Sequence, residues 1–162
     1  MVLIKAWYRL TGLILKVFYR IVFAGAFRYG RRFHMRRAFQ LTVENRAKVT
    51  IGDDVFFNDF CALHARAGIT IGDGTIFGEN VRVYDHNHRF VDPSTPIKEQ
   101  GYSEAPVTIG SHCWIGSNVT ILKGVTIGDN VVVGAGCVIA QDVPSDVIVR
   151  QDAKLSMERI RR

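Results

Sequence analysis

His86 and His88 stand one residue apart in the stretch RVYDHNHRF (82–90), directly after Tyr84 and Asp85. Such a pair can hold a metal, move a proton, or do neither and merely line a loop. A structural or catalytic zinc needs three or four converging protein ligands. The histidines are His34, His64, His86, His88 and His112, no two of them five apart, and Cys61, Cys113 and Cys137 show no CxxC spacing. His86 and His88, taken to point to alternate sides of an extended segment, make a poor ligand set by themselves, so no metal is expected. Proton transfer is the better fit, because imidazole ordinarily titrates near neutral pH and can deprotonate a hydroxyl there.

The elements that must position these histidines are legible as a repeat. From Ile109 the chain runs in blocks of six: IGSHCW, IGSNVT, ILKGVT, IGDNVV, VGAGCV and IAQDVP. An aliphatic residue opens each block, and a small or β-branched one follows four places later (Cys113, Val119, Val125, Val131, Cys137, Val143). IGDGTI and FGENVR from Ile71 keep the period, and looser copies begin at Ile51. Helices repeat every 3.6 residues and hairpins alternate at two, so neither holds a six-residue phase over this length. The pattern predicts an all-β parallel β-helix, in which three blocks make a triangular coil and the opening aliphatics of successive coils stack into one core. Cys113 and Cys137 then pack inward and are not nucleophiles. The period is lost only from Tyr84 to Pro106, and both histidines open that excursion, anchored by Val81 and Val83 of the preceding strand. Long loops within compact repeats are commonly functional.

The blocks, with WIGSNVTILKGVTIGDNVVVGAGCVIAQDVP as the most specific stretch, resemble the hexapeptide-repeat acyltransferases. Within that family the likeness is to the maltose and galactoside acetyltransferases and the related polysaccharide O-acetyltransferases, over about residues 45–154. The resemblance implies a left-handed β-helix, acetyl-CoA as donor, and a homotrimer with sites between neighbouring subunits. The family's base lies seven residues after a core valine, in a pattern like VHIYTATH; VRVYDHNH read without a gap puts His88 there, and a shifted register promotes His86. Tyr84 and Asp85 beside them are expected at the acceptor. An acceptor-binding asparagine, in a stretch like FANF, precedes the base by 30 residues, which matches Asn58 in FFNDFC. Trp114 matches a tryptophan near the acetyl group, and Ser117 and Ala135 match contacts to the pantetheine arm, with a backbone N–H near Ser117 facing the oxyanion. AQDVP stands where relatives have TKDVP, so Gln141 replaces a lysine; RQDAK stands for GNPAK and keeps Ala153 and Lys154. Lys154, with Arg150, Arg159, Arg161 and Arg162, is then the expected charge for the coenzyme phosphates.

With 48% hydrophobic and 22% charged residues among 162, the chain fits one globular domain and not a disordered one. Its net charge of +6 calls for an anionic partner, yet no helix-turn-helix or finger pattern favours nucleic acid. Three unpatterned cysteines fit a reducing, cytoplasmic setting. The apolar start is interrupted by Lys5, Arg9, Lys16 and Arg20, its longest uncharged stretch being IVFAGAF, too short for a span; AGA (24–26) only mimics a signal cleavage site. On a helical wheel these cations fall within roughly 60° of one another, leaving a broad apolar surface from Leu3, Ile4, Trp7, Leu10, Ile14, Phe18, Ile21 and Val22. That predicts a helix in the membrane interface, with Trp7, Tyr8 and Tyr19 at headgroup depth and Arg28, Arg31, Arg32, Arg36 and Arg37 facing anionic lipid. A helix packed on its own domain or on a neighbouring subunit is the alternative.

The expected organisation is a basic amphipathic helix and linker (1–40), a β-helix domain (41–149) with loop 84–106, and a basic tail (150–162). The expected function is O-acetylation of a sugar or lipid-linked saccharide, such as a capsule, O-antigen or exopolysaccharide precursor, at the inner face of the membrane. An antibiotic or amino-sugar acceptor, or a non-catalytic or zinc-binding β-helix, is the rival; a serine acetyltransferase is disfavoured for want of a large helical domain.

Overall fold

The computed structural model describes residues 2–151, and of residues 2–6 and Arg9 the backbone alone. One helix, α1 (Val2–Val22), precedes short parallel strands that wind through about five turns of a three-sided β-helix, consistent with the left-handed form expected. The first sheet stacks Phe27–Tyr29, Val49–Ile51, Ile69–Ile71, Val107–Ile109 and Thr126–Ile127. The second runs from His34–Met35 through Trp114–Ile115 to Ile148–Val149, and the third from Gln40–Val43 through Arg82–Tyr84 to Val138–Ile139.

Period six gives this shape because each block supplies one strand and one corner. The block-opening residues align coil on coil, as in Ile51 on Ile71, Ile71 on Ile109 and Ile109 on Ile127, and all are buried. The small inward residues, Cys61, Cys113 and Cys137 among them, sit beside the turns. Most corners place a residue at positive φ, and the same station is filled in successive coils by Asp54, Gly74, His112, Asn130 and Asp146, or on the next edge by Asn80, Asn118 and Gly136. Gly, Asn and Asp tolerate that left-handed conformation best, hence their recurrence in the blocks.

The β-helix begins at Phe27, inside the segment expected to be helix and linker. Phe27, Phe33 and Phe39 are themselves six apart, and Phe27 aligns with Val49 at the small inward position. Large rings fit there because the terminal coil has no coil before it, only α1, whose Tyr19 meets Phe27 and Phe39 edge-on. The helix also closes the open backbone edge. In the second coil the carbonyls of Val55 and Cys61 accept N–H bonds from His34 and Gln40. Their first-coil counterparts, Phe33 and Phe39, accept instead from Lys16 Nζ (3.1 Å) and the buried Tyr19 hydroxyl (2.9 Å).

This arrangement corrects the interfacial reading of several residues. Tyr19 is buried in the cap, Tyr8 lies under the Arg36 guanidinium, and Lys16 faces the solenoid. Arg31, Arg32 and Arg37 pair with Asp53, Asp54 and Asp59 one coil on, and Arg36 donates to Asn58, so these four cations turn to the β-helix. Among the described residues, the large apolar side chains of α1 that point away from the body are Leu10, Leu13, Ile14, Val17, Phe18 and Ile21, with Trp7 and Val22 at the ends.

Tyr19→Phe keeps the ring and leaves the Phe39 carbonyl without its donor, so the free energy of unfolding is expected to fall by about 1–3 kcal/mol; an unchanged denaturation midpoint would contradict the cap. Burial pushes the Cys61 thiol up to about 11. Since the thiolate is the reactive form, native Cys61 at pH 8 is expected to alkylate at least about 100-fold more slowly than in the unfolded chain, gaining reactivity only as pH climbs toward that value; equal rates by mass spectrometry would refute it.

Candidate active site

Between Ile69 and its partner Val107 the chain takes 20 more residues than between Thr108 and its partner Thr126, and the excess is the excursion after Tyr84. It is an antiparallel hairpin, His86–His88 against Tyr102–Glu104, whose tip is tied by Asp92 to Ser94 and Thr95. Its base is pinned by Arg66, which pairs with Glu44 and Glu104 and lies 4.0 Å over the Tyr102 ring.

The hairpin leaves the solenoid at Asp85, which is wholly buried. Its carboxylate accepts backbone N–H bonds from Arg66 (2.8 and 2.9 Å), Ala67 (2.7 Å) and Gly68 (2.6 Å), the corner of the coil below. Its Oδ1 also meets His86 Nδ1 at 2.9 Å. Asp85, expected at the acceptor, thus has no solvent-facing surface and reaches outward only through His86. A carboxylate on imidazole Nδ1 fixes the tautomer and directs Nε2 to the other side of the ring.

His86 and His88 do not point to alternate sides: residues i and i+2 of a strand share a face, and both rings pack on Tyr102, at 5.3 and 4.5 Å between centroids. They line a cleft of about 450 Å³ with Tyr84, Asn87, Tyr102, Thr120 and Leu122. Tyr84 is stacked on His64 (5.0 Å), whose Nδ1 meets the Thr42 hydroxyl; burial holds the His64 imidazole below its ordinary range. Among the described residues no three His, Cys, Asp or Glu side chains converge as a metal site.

The other expected residues lie on a different edge of the prism. Asn58 follows the second sheet, as Gly116 does two coils later, and Ser117 and Ala135 occupy the same edge. Glu79, which the sequence did not single out, ties them: its carboxylate accepts from Asn58 Nδ2 (2.5 Å) and Ser117 Oγ (2.6 Å). The Ser117 bond, first among several, draws the Glu79 carboxyl below its usual range. The available signal was register, since Glu79 in FGENVR holds the block position of Ser117 in IGSNVT. A Cβ on Gly116 would stand 2.7 Å from the Ala135 nitrogen, so the backbone is tightly packed where Ser117 and Ala135 meet. Trp114 projects from the second sheet and is 55% exposed. One chain therefore separates Asn58, Trp114, Ser117 and Ala135 from the histidines; Lys154 lies outside the described residues.

Residues 106–141 match the family of bacterial transferase hexapeptide proteins (six repeats). The acetyltransferase VCA0836 of Vibrio cholerae, solved in complex with acetyl-CoA, superposes with a TM-score of 0.68 at 30% identity, over 82% of this chain and 71% of its own. Galactoside O-acetyltransferase of Escherichia coli K12 is 36% identical over 122 residues, 75% of this chain and 51% of that enzyme. WbbJ of the same strain, whose proposed role is O-acetyl transfer in lipopolysaccharide biosynthesis, is 29% identical over 132 residues, 77% of this chain and 67% of WbbJ. The chain thus spans about half to two thirds of these two curated relatives. Repeat, coil geometry and likeness agree that the chain belongs to the hexapeptide-repeat acetyltransferases.

Proposed function

We propose that the chain transfers an acetyl group from acetyl-CoA to a hydroxyl of a saccharide. The observation that carries this reading is the cleft at the one break of the repeat, where two imidazoles and two tyrosine rings enclose a volume suited to a sugar unit. In the reaction an imidazole Nε2 takes the acceptor hydroxyl proton while the oxygen attacks the thioester carbonyl. Backbone N–H groups near Ser117 and Ala135 stabilise the tetrahedral oxyanion. Collapse expels the coenzyme thiolate, which takes the proton from the imidazolium, so the products are the O-acetyl ester and free coenzyme A.

His88 stands at the family's base position and is the first choice. The contact that favours His86 as a second reading is its bond to buried Asp85. On the other edge, Asn58 orients the acceptor, and Trp114, Ser117 and Ala135 line the donor groove; Lys154 and its neighbours serve the coenzyme phosphates. Because the two edges belong to different sides of one prism, a complete site calls for neighbouring copies in a cyclic homotrimer, each giving a different edge. WbbJ and the galactoside enzyme favour a sugar hydroxyl, and a lipid-linked polysaccharide precursor at the inner membrane face is the acceptor class proposed.

Coenzyme A release from acetyl-CoA with a panel of sugars tests this. His88→Ala is expected to lower kcat by about 10²–10⁴-fold, and His86→Ala by less; full activity in both variants would overturn a histidine base, and the reverse order would transfer the role to His86. Release only with amino sugars or antibiotics would overturn the saccharide hydroxyl. Asp85→Asn turns an amide N–H₂ toward backbone donors, so it is expected to cost about 3 kcal/mol of stability and to lower kcat with the KM for acetyl-CoA unchanged; retention of both would refute the positioning role.

A further inference from the structure

Helix α1 carries its apolarity on the wrong side for a helix that only caps a core. Its inward side uses Gly12, Leu15, Lys16, Tyr19 and Phe23 against the first coil. The opposite side, an arc of roughly 180° on the wheel, is apolar except for Thr11, and Trp7, Leu10, Leu13, Ile14, Val17, Phe18, Ile21 and Val22 on it are each at least half exposed. The outer face of a helix on a globular protein is normally charged, and contiguous exposed apolar patches of this kind mark an interaction site.

Charge selects the occupant. Nine of the 21 Lys and Arg residues, and none of the 15 Asp and Glu, lie within residues 1–43, so the helix and first coil contribute basic residues and no acidic one. Four of those arginines turn to the second coil, as described above. Arg20 and Arg28 do not: among the described residues neither joins an ion pair, and both are exposed. They flank a cleft of about 530 Å³ with Ala24, Gly25, Phe27 and Tyr29, beside the helix end where Ile21 and Val22 are bare. A protein partner needs no such one-sided charge, whereas the interface of an anionic bilayer combines an apolar layer with phosphates just above it. Among the described residues no helix is long and apolar enough to cross a membrane.

We propose that α1 docks this protein on anionic membrane, lying in the plane of the bilayer with its outer face among the acyl chains and lipid phosphates in the cleft between Arg20 and Arg28. The helix lies across the end of the solenoid, so a cyclic assembly with its axis parallel to the solenoids would present every copy of this face on one side. The docking surface deepens the proposed function, resting on it for the acceptor alone: it brings the cleft to lipid-linked saccharides and raises their effective concentration.

The test is co-sedimentation of the full chain with phosphatidylcholine vesicles containing about one third phosphatidylglycerol, against pure phosphatidylcholine. Binding is expected only to the anionic vesicles, weakening as salt rises. Leu13→Gln/Val17→Gln/Ile21→Gln removes apolar surface without touching the core, and Arg20→Gln/Arg28→Gln removes the phosphate-facing charge; each is expected to weaken binding by about tenfold or more. No binding by the wild type, or undiminished binding by both variants, overturns the proposal. So does an apolar variant that dissociates the oligomer while wild type ignores vesicles, since the face then covers a second copy. The assay needs neither donor nor acceptor, so its failure is separable from failure of the acetyl-transfer reading.

Discussion

Every coil of a parallel β-helix hands its backbone N–H and C=O groups to the coils on either side, and wherever that succession stops, something else must take them. A buried, unpaired peptide group costs about as much as a lost hydrogen bond, so the ends and interruptions of the solenoid are where the sequence departs from its repeat. At the first coil, α1 supplies Lys16 and Tyr19 to the carbonyls that a preceding coil would have satisfied. The aromatic side chains that fill the wider end follow from the same substitution of helix for coil.

The interruption after Tyr84 is solved differently. The corner amides of Arg66, Ala67 and Gly68 meet the Asp85 carboxylate, and the chain is released outward as a hairpin. Three converging backbone N–H groups satisfy the hydrogen-bonding capacity of that buried carboxylate. That same carboxylate holds His86, so the device that closes the ladder also orients an imidazole in the cleft. Structure and candidate chemistry share one residue there, which ties the stability of the corner to the geometry of the site.

The fold was legible because its signal is local and repeated: aliphatic openers, small inward residues, and Asn, Asp or Gly at most corners. The place of the cleft was legible as the gap in that repeat. What stayed hidden depends on groups brought together across coils. Arg31 and Arg32 read as a free basic run, yet their partners Asp53 and Asp54 lie a whole coil away. Asp85 reads as a loop acid until the amides of the preceding coil are seen around it. The first coil was missed because phenylalanine, not valine or cysteine, holds its inward positions, and its spacing to the next coil is 22 residues instead of 18. Glu79 was missed because its role is to join Asn58 and Ser117, which lie on separate coils of one edge.

In the proposed function the site is divided between two edges of the prism, which makes the assembly part of the proposed chemistry. Chains bearing His86→Ala/His88→Ala lack the proposed proton-transferring edge, and chains bearing Asn58→Ala/Trp114→Ala lack the other proposed edge; each preparation alone is expected to release little coenzyme A. Refolded together in equal amounts, they should recover about a quarter of wild-type turnover, since neighbouring copies then combine one intact edge of each kind by chance. Failure to recover activity in verified mixed oligomers would mean that each site lies within one chain.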